Sequence, residues 1–280
     1  VIEGHLHRRF HLAPGFQLYP AADGSWRYST PAGKFVRISG PAPLLELVRR
    51  LSTGAPADVQ LTPEDSAAFD QLVTALRGRG VLVEPSGGPG GGRRIHVAGD
   101  NPVGTVAADL LRPHADVTTG TVDEGAVADA DVLVSCASWL PDTEWRRVDE
   151  WCAAHGTAWH RCHAEGTRFA LGPFFLPGET AGYRDTRARR LAACPVADEL
   201  LEQWRYLDGD QPKPPVRWPD SGGGLLGALL AGDVLARLAG RPVPSHGHQL
   251  LVDPDTAGIT RHPVLPLPRL AERLAPLAVP

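Results

Sequence analysis

Between residues 16 and 39 apolar and polar positions alternate in strand fashion. Phe16 and Leu18, Trp26 and Tyr28, then Phe35, Val36 and Ile38 form three short runs. Asp23-Gly24 and Gly33 between them supply the positive-φ positions that tight hairpins require. The pattern predicts a three-stranded meander. The period then changes. Leu44, Leu47, Val48 and Leu51 recur on one helical face, with Gly54 as the stop. A longer helix opens at Thr62-Pro63-Glu64-Asp65, with Thr as N-cap, Pro in the first turn and acids at the positive end. Its apolar face is Phe69, Leu72, Val73 and Leu76; Gly80 ends it before Val81-Leu82-Val83. Strands followed by helices in so short a span predict a small winged-helix-like α+β module.

Residues 85–92, PSGGPGGG, can neither pack nor hold a helix, and read as a flexible linker. The expected division is therefore a module at 1–84 and a second domain at 93–280. In the latter, Arg93–Ala98 is a short apolar strand running through a glycine turn into a helix from Thr105 to Leu111. Val132–Cys136 is a buried strand, about Asp142 to His155 a helix, and Thr157–His160 the next strand. This alternation predicts an α/β fold with a parallel sheet and crossover helices. Residues 208–224 read as an internal loop.

Composition narrows the function classes. At 42% apolar and 21% charged, the chain is not of the disordered class. No apolar run approaches the ~20 residues that span a bilayer. A net charge of −4 gives no reason to expect nucleic acid as partner, and the first module's longer helix opens on acids where a DNA-recognition helix needs cations. With no charged-then-apolar leader, cytoplasmic location is the expected default. Cys136, Cys152, Cys162 and Cys194 include no C-x-x-C pair and read as reduced, mostly buried thiols. His160, Cys162 and His163 alternate between strand faces and do not converge on a metal.

The turn Gly99-Asp100-Asn101-Pro102-Val103-Gly104 compares with the G-x-G-x-x-G that cradles nucleotide phosphate. Gly99 and Gly104 fill its first and third places. Asn101 replaces the second, Pro102 lacks one N–H donor, and no acid ends the following strand, Asp116 lying within it. The reading is a vestigial nucleotide turn with no cofactor. A His163–Glu165 acid/base pair has no accompanying nucleophile. Arg184, Arg187, Arg189 and Arg190 could receive an acidic leader or partner surface but read first as a solvated helix face, and Trp139, Trp145, Trp151 and Trp159 read as packing residues.

The order of these pieces resembles the ThiF-like (E1-like) partner proteins of azoline-forming cyclodehydratases, which act in ribosomal peptide pathways such as thiopeptides and thiazole/oxazole-modified microcins. The residues that carry the resemblance run from Ala137 to Arg190 (ASWLPDTEWRR through GYRDTRARR) and from Gly224 to Leu270 (GLLGALLAGDVLARL through HPVLPLPRL). The N-terminal module resembles a PqqD-like precursor recognition element. The resemblance implies an E1-like, Rossmann-type second domain and a non-catalytic chain that binds a precursor's leader peptide for a YcaO-type cyclodehydratase; a homodimer is also implied. Related proteins often hold zinc with C-Y-x-C and P-R-C-P-x-C pairs. Here those places read Gly182-Tyr183-Arg184-Asp185 and Pro268–Arg273, without sulfur, so no metal is expected. The alternative is an ATP-dependent E1-like enzyme that adenylates a peptide carboxylate.

In this resemblance the leader adds a strand to the third meander strand and packs on the long helix. The implied peptide-binding residues are Val36, Arg37 and Ile38 on the strand, and Phe69, Val73, Leu76 and Arg77 on the helix. The helical apolars also suit plain core packing, and Arg37 a solvated edge charge that discourages aggregation.

Overall fold

The computed structural model describes residues 10–53, 61–83, 92–218 and 222–268. Gly54 and all but the last residue of the expected linker lie outside them. Two compact units form, Val1–Gly88 and Pro89–Pro280.

In the first unit, β1 (His11–Leu12) is followed by the meander β2 (Gln17–Pro20), β3 (Trp26–Ser29) and β4 (Phe35–Ile38), then α1 (Ala42–Ser52), α2 (Pro63–Gly78) and β5 (Leu82–Val83). The strands β2-β3-β4 form one antiparallel sheet, and β1 pairs with β5. Thr62 caps α2 as its sequence predicts, its hydroxyl accepting from the Asp65 N–H. Alternation sends Leu18, Trp26, Tyr28 and Ile38 inward, where they meet Leu44, Leu45, Leu47 and Val48 of α1 and Phe69, Val73 and Leu76 of α2. Each such side chain contributes roughly 1.5–3 kcal/mol when fully buried.

The second unit contains β6 (Arg94–Ala98), α3 (Pro102–Leu111), β7 (Asp116–Gly120), α4 (Glu124–Asp129), β8 (Val132–Ala137), α5 (Asp142–His155), β9 (Ala158–Glu165), β10 (Arg168–Leu171), α6 (Tyr183–Ala193), α7 (Ala197–Asp208), α8 (Gly222–Leu238), β11 (His248–Asp253) and β12 (Gly258–Pro263). Its strands form one seven-stranded mixed sheet in the order β12-β11-β10-β9-β8-β6-β7. The four strands from β7 to β9 run parallel, and β9 to β12 are antiparallel neighbours. Strands buried on both faces read as continuous apolar runs, which is why Val132–Cys136 shows no alternation of polarity. Val132, Val134 and Cys136 join one core with α3 and α8, while Leu133 and Trp159 join a second with α4 to α7.

Residues 208–224 are not a loop throughout, because α8 begins at Gly222. A Cβ on Gly223 or Gly227 would come within 2.7 Å of Pro102 or Val106 of α3. These glycines let two helices approach closely, a tertiary reason that composition does not reveal. A buried polar network ties α8 to β9. His160 Nε2 lies 3.1 Å from Asp233 Oδ2, the Ser245 hydroxyl donates to the same oxygen, and the Arg161 N–H donates to His160 Nδ1. That last bond makes Nδ1 the acceptor and places the imidazole proton on Nε2.

Candidate functional site

Two places in the chain present or withhold backbone groups in ways that matter chemically. The first is β4, an edge of the meander. The Thr30 N–H donates to the Lys34 carbonyl at the hairpin, which makes these two a hydrogen-bonded pair. Pairs alternate in an antiparallel ladder. With the register Tyr28↔Val36 and Trp26↔Ile38, the N–H and C=O of Val36 and Ile38 therefore face β3. Those of Phe35 and Arg37 face the open edge. Nothing among the described residues hydrogen-bonds to them.

Side chains divide the same way. Ile38 is in the core and Val36 is half-buried, whereas Arg37 is exposed and Phe35 is 70% exposed. Of the residues the resemblance implies for peptide binding, Ile38, Phe69, Val73 and Leu76 are occupied in the unit's own core, because a helical stripe of that spacing must bury itself. Their side chains are thus core residues and not surface contacts. Arg37 and Arg77 are exposed, and Val36 lies between. Phe35 is absent from the implied set. The signal that points to it is the alternation itself, which puts an aromatic on the solvent face beside Arg37.

The second place is the turn from β6 into α3. Gly99 has φ 127°, and a Cβ there would run into the Cys136 carbonyl; a Cβ on Gly104 would strike the Gly99 carbonyl. Both glycines are required by packing alone. Asn101 is the N-cap of α3. Its Oδ1 accepts from the Val103 and Gly104 N–H groups, each at 3.1 Å, and its Nδ2 donates to the Cys136 carbonyl at 2.8 Å. These are the amides that an anion at a helix N-terminus would use. The side chain of Asn101 satisfies them from within, and Pro102 offers none.

Beside this turn, at the carboxyl ends of β6, β7 and β8, lies a cavity of ≈ 680 Å³ whose walls include Asp100, Thr105, Arg112, Thr121, Glu144 and Trp145. Open α/β sheets bind ligands in this position. The strand that would present a ribose-binding acid ends instead in Thr119-Gly120, with Asp116 at its far end. Desolvation raises the Glu144 carboxyl above its usual range. The residues present do not fit a nucleotide phosphate at the glycine turn.

Nor do they fit a zinc ion at the implied pairs. A Cβ at Gly182 would meet the Asp149 carboxylate at 2.5 Å. Asp185 accepts from the Gly182 N–H at 3.0 Å and the Leu267 N–H at 3.1 Å, and Arg189 donates to the Leu265 and Pro266 carbonyls. Direct hydrogen bonds thus tie the segment before residue 268 to α6; Leu270 and Arg273 lie outside the described residues. Among the described residues no three His, Cys, Asp or Glu side chains converge. The arginines of α6 are not a merely solvated face. Arg184 pairs with Glu150, Arg187 with Asp142 at 2.8 Å, and Arg190 with Glu165.

Glu165 is therefore committed to Arg190, and His163 sits edge-on to Trp145 in the core with Nδ1 unpartnered. Burial, with Arg190 and Arg161 nearby, holds its pKa down at about 3. A neutral, enclosed imidazole of this kind is a packing group. Arg161 itself is buried, flanked by the Trp159 and Tyr183 rings, and desolvation lowers it to about 10. Cys136 and Cys152 are pushed up to about 12 by burial, which makes them inert as nucleophiles.

No protein-family model matches the chain, and no curated protein sequence matches it. Solved structures do. The fold is similar to that of the heterocyclase TruD (TM-score 0.67, 15% identity, 93% of this chain and 42% of that one). A heterocyclase in complex with substrate and cofactor gives the same TM-score of 0.67 at 15% identity, covering 92% of this chain and 38% of the other. E. coli MccB with ATP covers more of its own length, 97%, against 92% of this chain, at TM-score 0.56 and 11% identity. The chain shares this fold. It spans about two fifths of the heterocyclase chains, 38% and 42%. Among the described residues no helix is long and apolar enough to cross a membrane.

Proposed function

We propose that the chain is a leader-peptide-binding adaptor. Its first unit is read as a winged-helix-like, PqqD-like recognition element, and its second as a degenerate E1-like domain. The observation that carries the reading is the open edge of β4, with Phe35 exposed beside it. An extended peptide can add there, main-chain hydrogen bonds supplying affinity and alternate side chains supplying selectivity. Fold neighbours support it, since MccB has been solved with MccA and a heterocyclase with its substrate. The adaptor would recruit a ribosomally made precursor and present it to a YcaO-type cyclodehydratase for azoline formation.

The alternative is an adenylating enzyme acting on a peptide carboxylate, favoured by the ≈ 680 Å³ cavity and by the MccB structure that holds ATP. Asn101 weighs against it, because its side chain takes the amides a phosphate would need. One experiment separates the two. The labelled leader half of the precursor encoded beside this gene is titrated with the chain by fluorescence polarisation without nucleotide, and ATP is titrated separately by calorimetry. Saturable leader binding with no ATP heat up to millimolar concentration is expected. Micromolar ATP binding without leader binding would replace the adaptor by the enzyme.

A further inference from the structure

We infer that the β4 edge selects a peptide strand bearing an acidic residue opposite Arg37 and an apolar residue opposite Phe35, two positions away, with an apolar residue between them on the Val36 face. This rests on the reading of that edge as the peptide site, and it names the chemistry of the occupant.

The charge on this face is unbalanced. Arg37 stands directly across from Arg27, at a position where the backbones do not bond and side chains lie close. Like charges so placed repel. Among the described residues one carboxylate acts on both, and Arg27 holds it at 3.0 Å. That carboxylate, Asp23, also accepts from the N–H and hydroxyl of Ser25, bonds that keep its pKa at about 2. Arg37 makes no ion pair among the described residues. An incoming strand would place a side chain on the far side of Arg37, where a carboxylate neutralises the second guanidinium.

Phe35 carries the apolar half of the argument. Arg37 supplies the charge with which edge strands ordinarily protect themselves, an end an exposed aromatic does not serve. Here a phenyl ring stands 70% exposed, two residues from Arg37 and on the same face, with only Ser29 across from it on β3. A peptide side chain opposite would cover it. Between these two positions the added strand turns its side chain to the other face, beside half-buried Val36. Phe35 and Arg37 are also the two residues whose N–H and C=O point outward. The backbone thus anchors the peptide at the same positions where the side chains read it.

The test is selection from a displayed library of random peptides on the full chain, followed by synthesis of a fluorescein-labelled winner. Enrichment of an acidic residue next to two apolar ones is expected. Replacing the acid by Lys should weaken binding about tenfold, and Arg37→Glu should restore the Lys peptide while rejecting the acidic one. Phe35→Thr should erase the preference for the outer apolar residue. Circular dichroism checks that both variants fold, as exposed positions should allow. N-methylation at successive peptide amides locates the strand pairing independently of these side chains. Binding that is lost on N-methylation yet tolerates the acid-to-Lys change would overturn this inference and leave the edge reading standing. Binding indifferent to N-methylation and to both variants, or no enriched peptide, would overturn the two together.

Discussion

The β4 edge and the β6–α3 turn hold the same chemical asset, backbone N–H groups without a partner in regular structure, and treat it in opposite ways. At β4 the amides of Phe35 and Arg37 face outward with nothing among the described residues bonded to them. At the turn, the amides of Val103 and Gly104 end on the Asn101 side chain, and Pro102 has none to give. The first arrangement suits a ligand that brings its own backbone. The second has closed an anion site from inside. What differs is a single side chain's reach: Asn is short enough to fold back on its own helix, while among the described residues none hydrogen-bonds to the outer groups of the edge strand.

Substitutions can break this contrast at either end. The largest effect is expected at Gly99, where alanine meets both a forbidden φ and the Cys136 carbonyl. Gly99→Ala should cost ~3 kcal/mol or more in urea denaturation. A near-neutral result would mean that the turn is looser than its packing indicates. A pair of prolines comes next. Ile38→Pro removes an N–H that bonds to β3 and a core side chain, so it should destabilise by ~3 kcal/mol. Arg37→Pro removes only an outward N–H and an exposed charge, and should cost less than ~1 kcal/mol while abolishing leader binding. Equal stability losses for the two would refute the deduced ladder parity.

A graded pH effect belongs to the second unit. The folded pKa of His163, about 3, lies below the free value of 6.5, so between these the unfolded chain binds the extra proton. Stability from this group is complete above pH 6.5 and is lost as pH falls towards 3, at up to ~1.4 kcal/mol per pH unit. Denaturation curves of His163→Leu should lose this slope relative to the native chain. The smallest change is Asn101→Ala, which removes an N-cap and should cost ~1 kcal/mol, measured by thermal melting. If it also creates ATP binding, the side chain was the sole obstacle to nucleotide.

Much of the fold is legible in the order of residues. Thr62 capping α2 and the α5 run from Asp142 to His155 follow from local rules, because caps and helical stripes are set by neighbours a few positions apart. The start of α8 is not legible in this way. Gly222-Gly223-Gly224 reads as loop by propensity, and becomes helix because Gly223 and Gly227 allow contact with α3. The implied peptide contacts show the same divide. Spacing marks Phe69, Val73 and Leu76 as one face of a helix, yet spacing cannot say whether that face meets a core or a ligand.

By itself, then, the sequence determined the meander, the capped helices, the strand–helix alternation and the loss of the second glycine at residue 101, all of them consequences of short-range sterics and periodicity. Only the tertiary structure decided that Asn101 turns its carboxamide onto Val103, Gly104 and Cys136, and that the strand carrying Phe35 and Arg37 stays an open edge. Both depend on segments far along the chain: Cys136 on β8 takes the Asn101 amide in one case, and no strand among the described residues pairs with β4 beyond its hairpin partner in the other. Hydrogen-bond pairing between remote segments has no signature in local order, and that pairing is what leaves one set of amides open and closes the other.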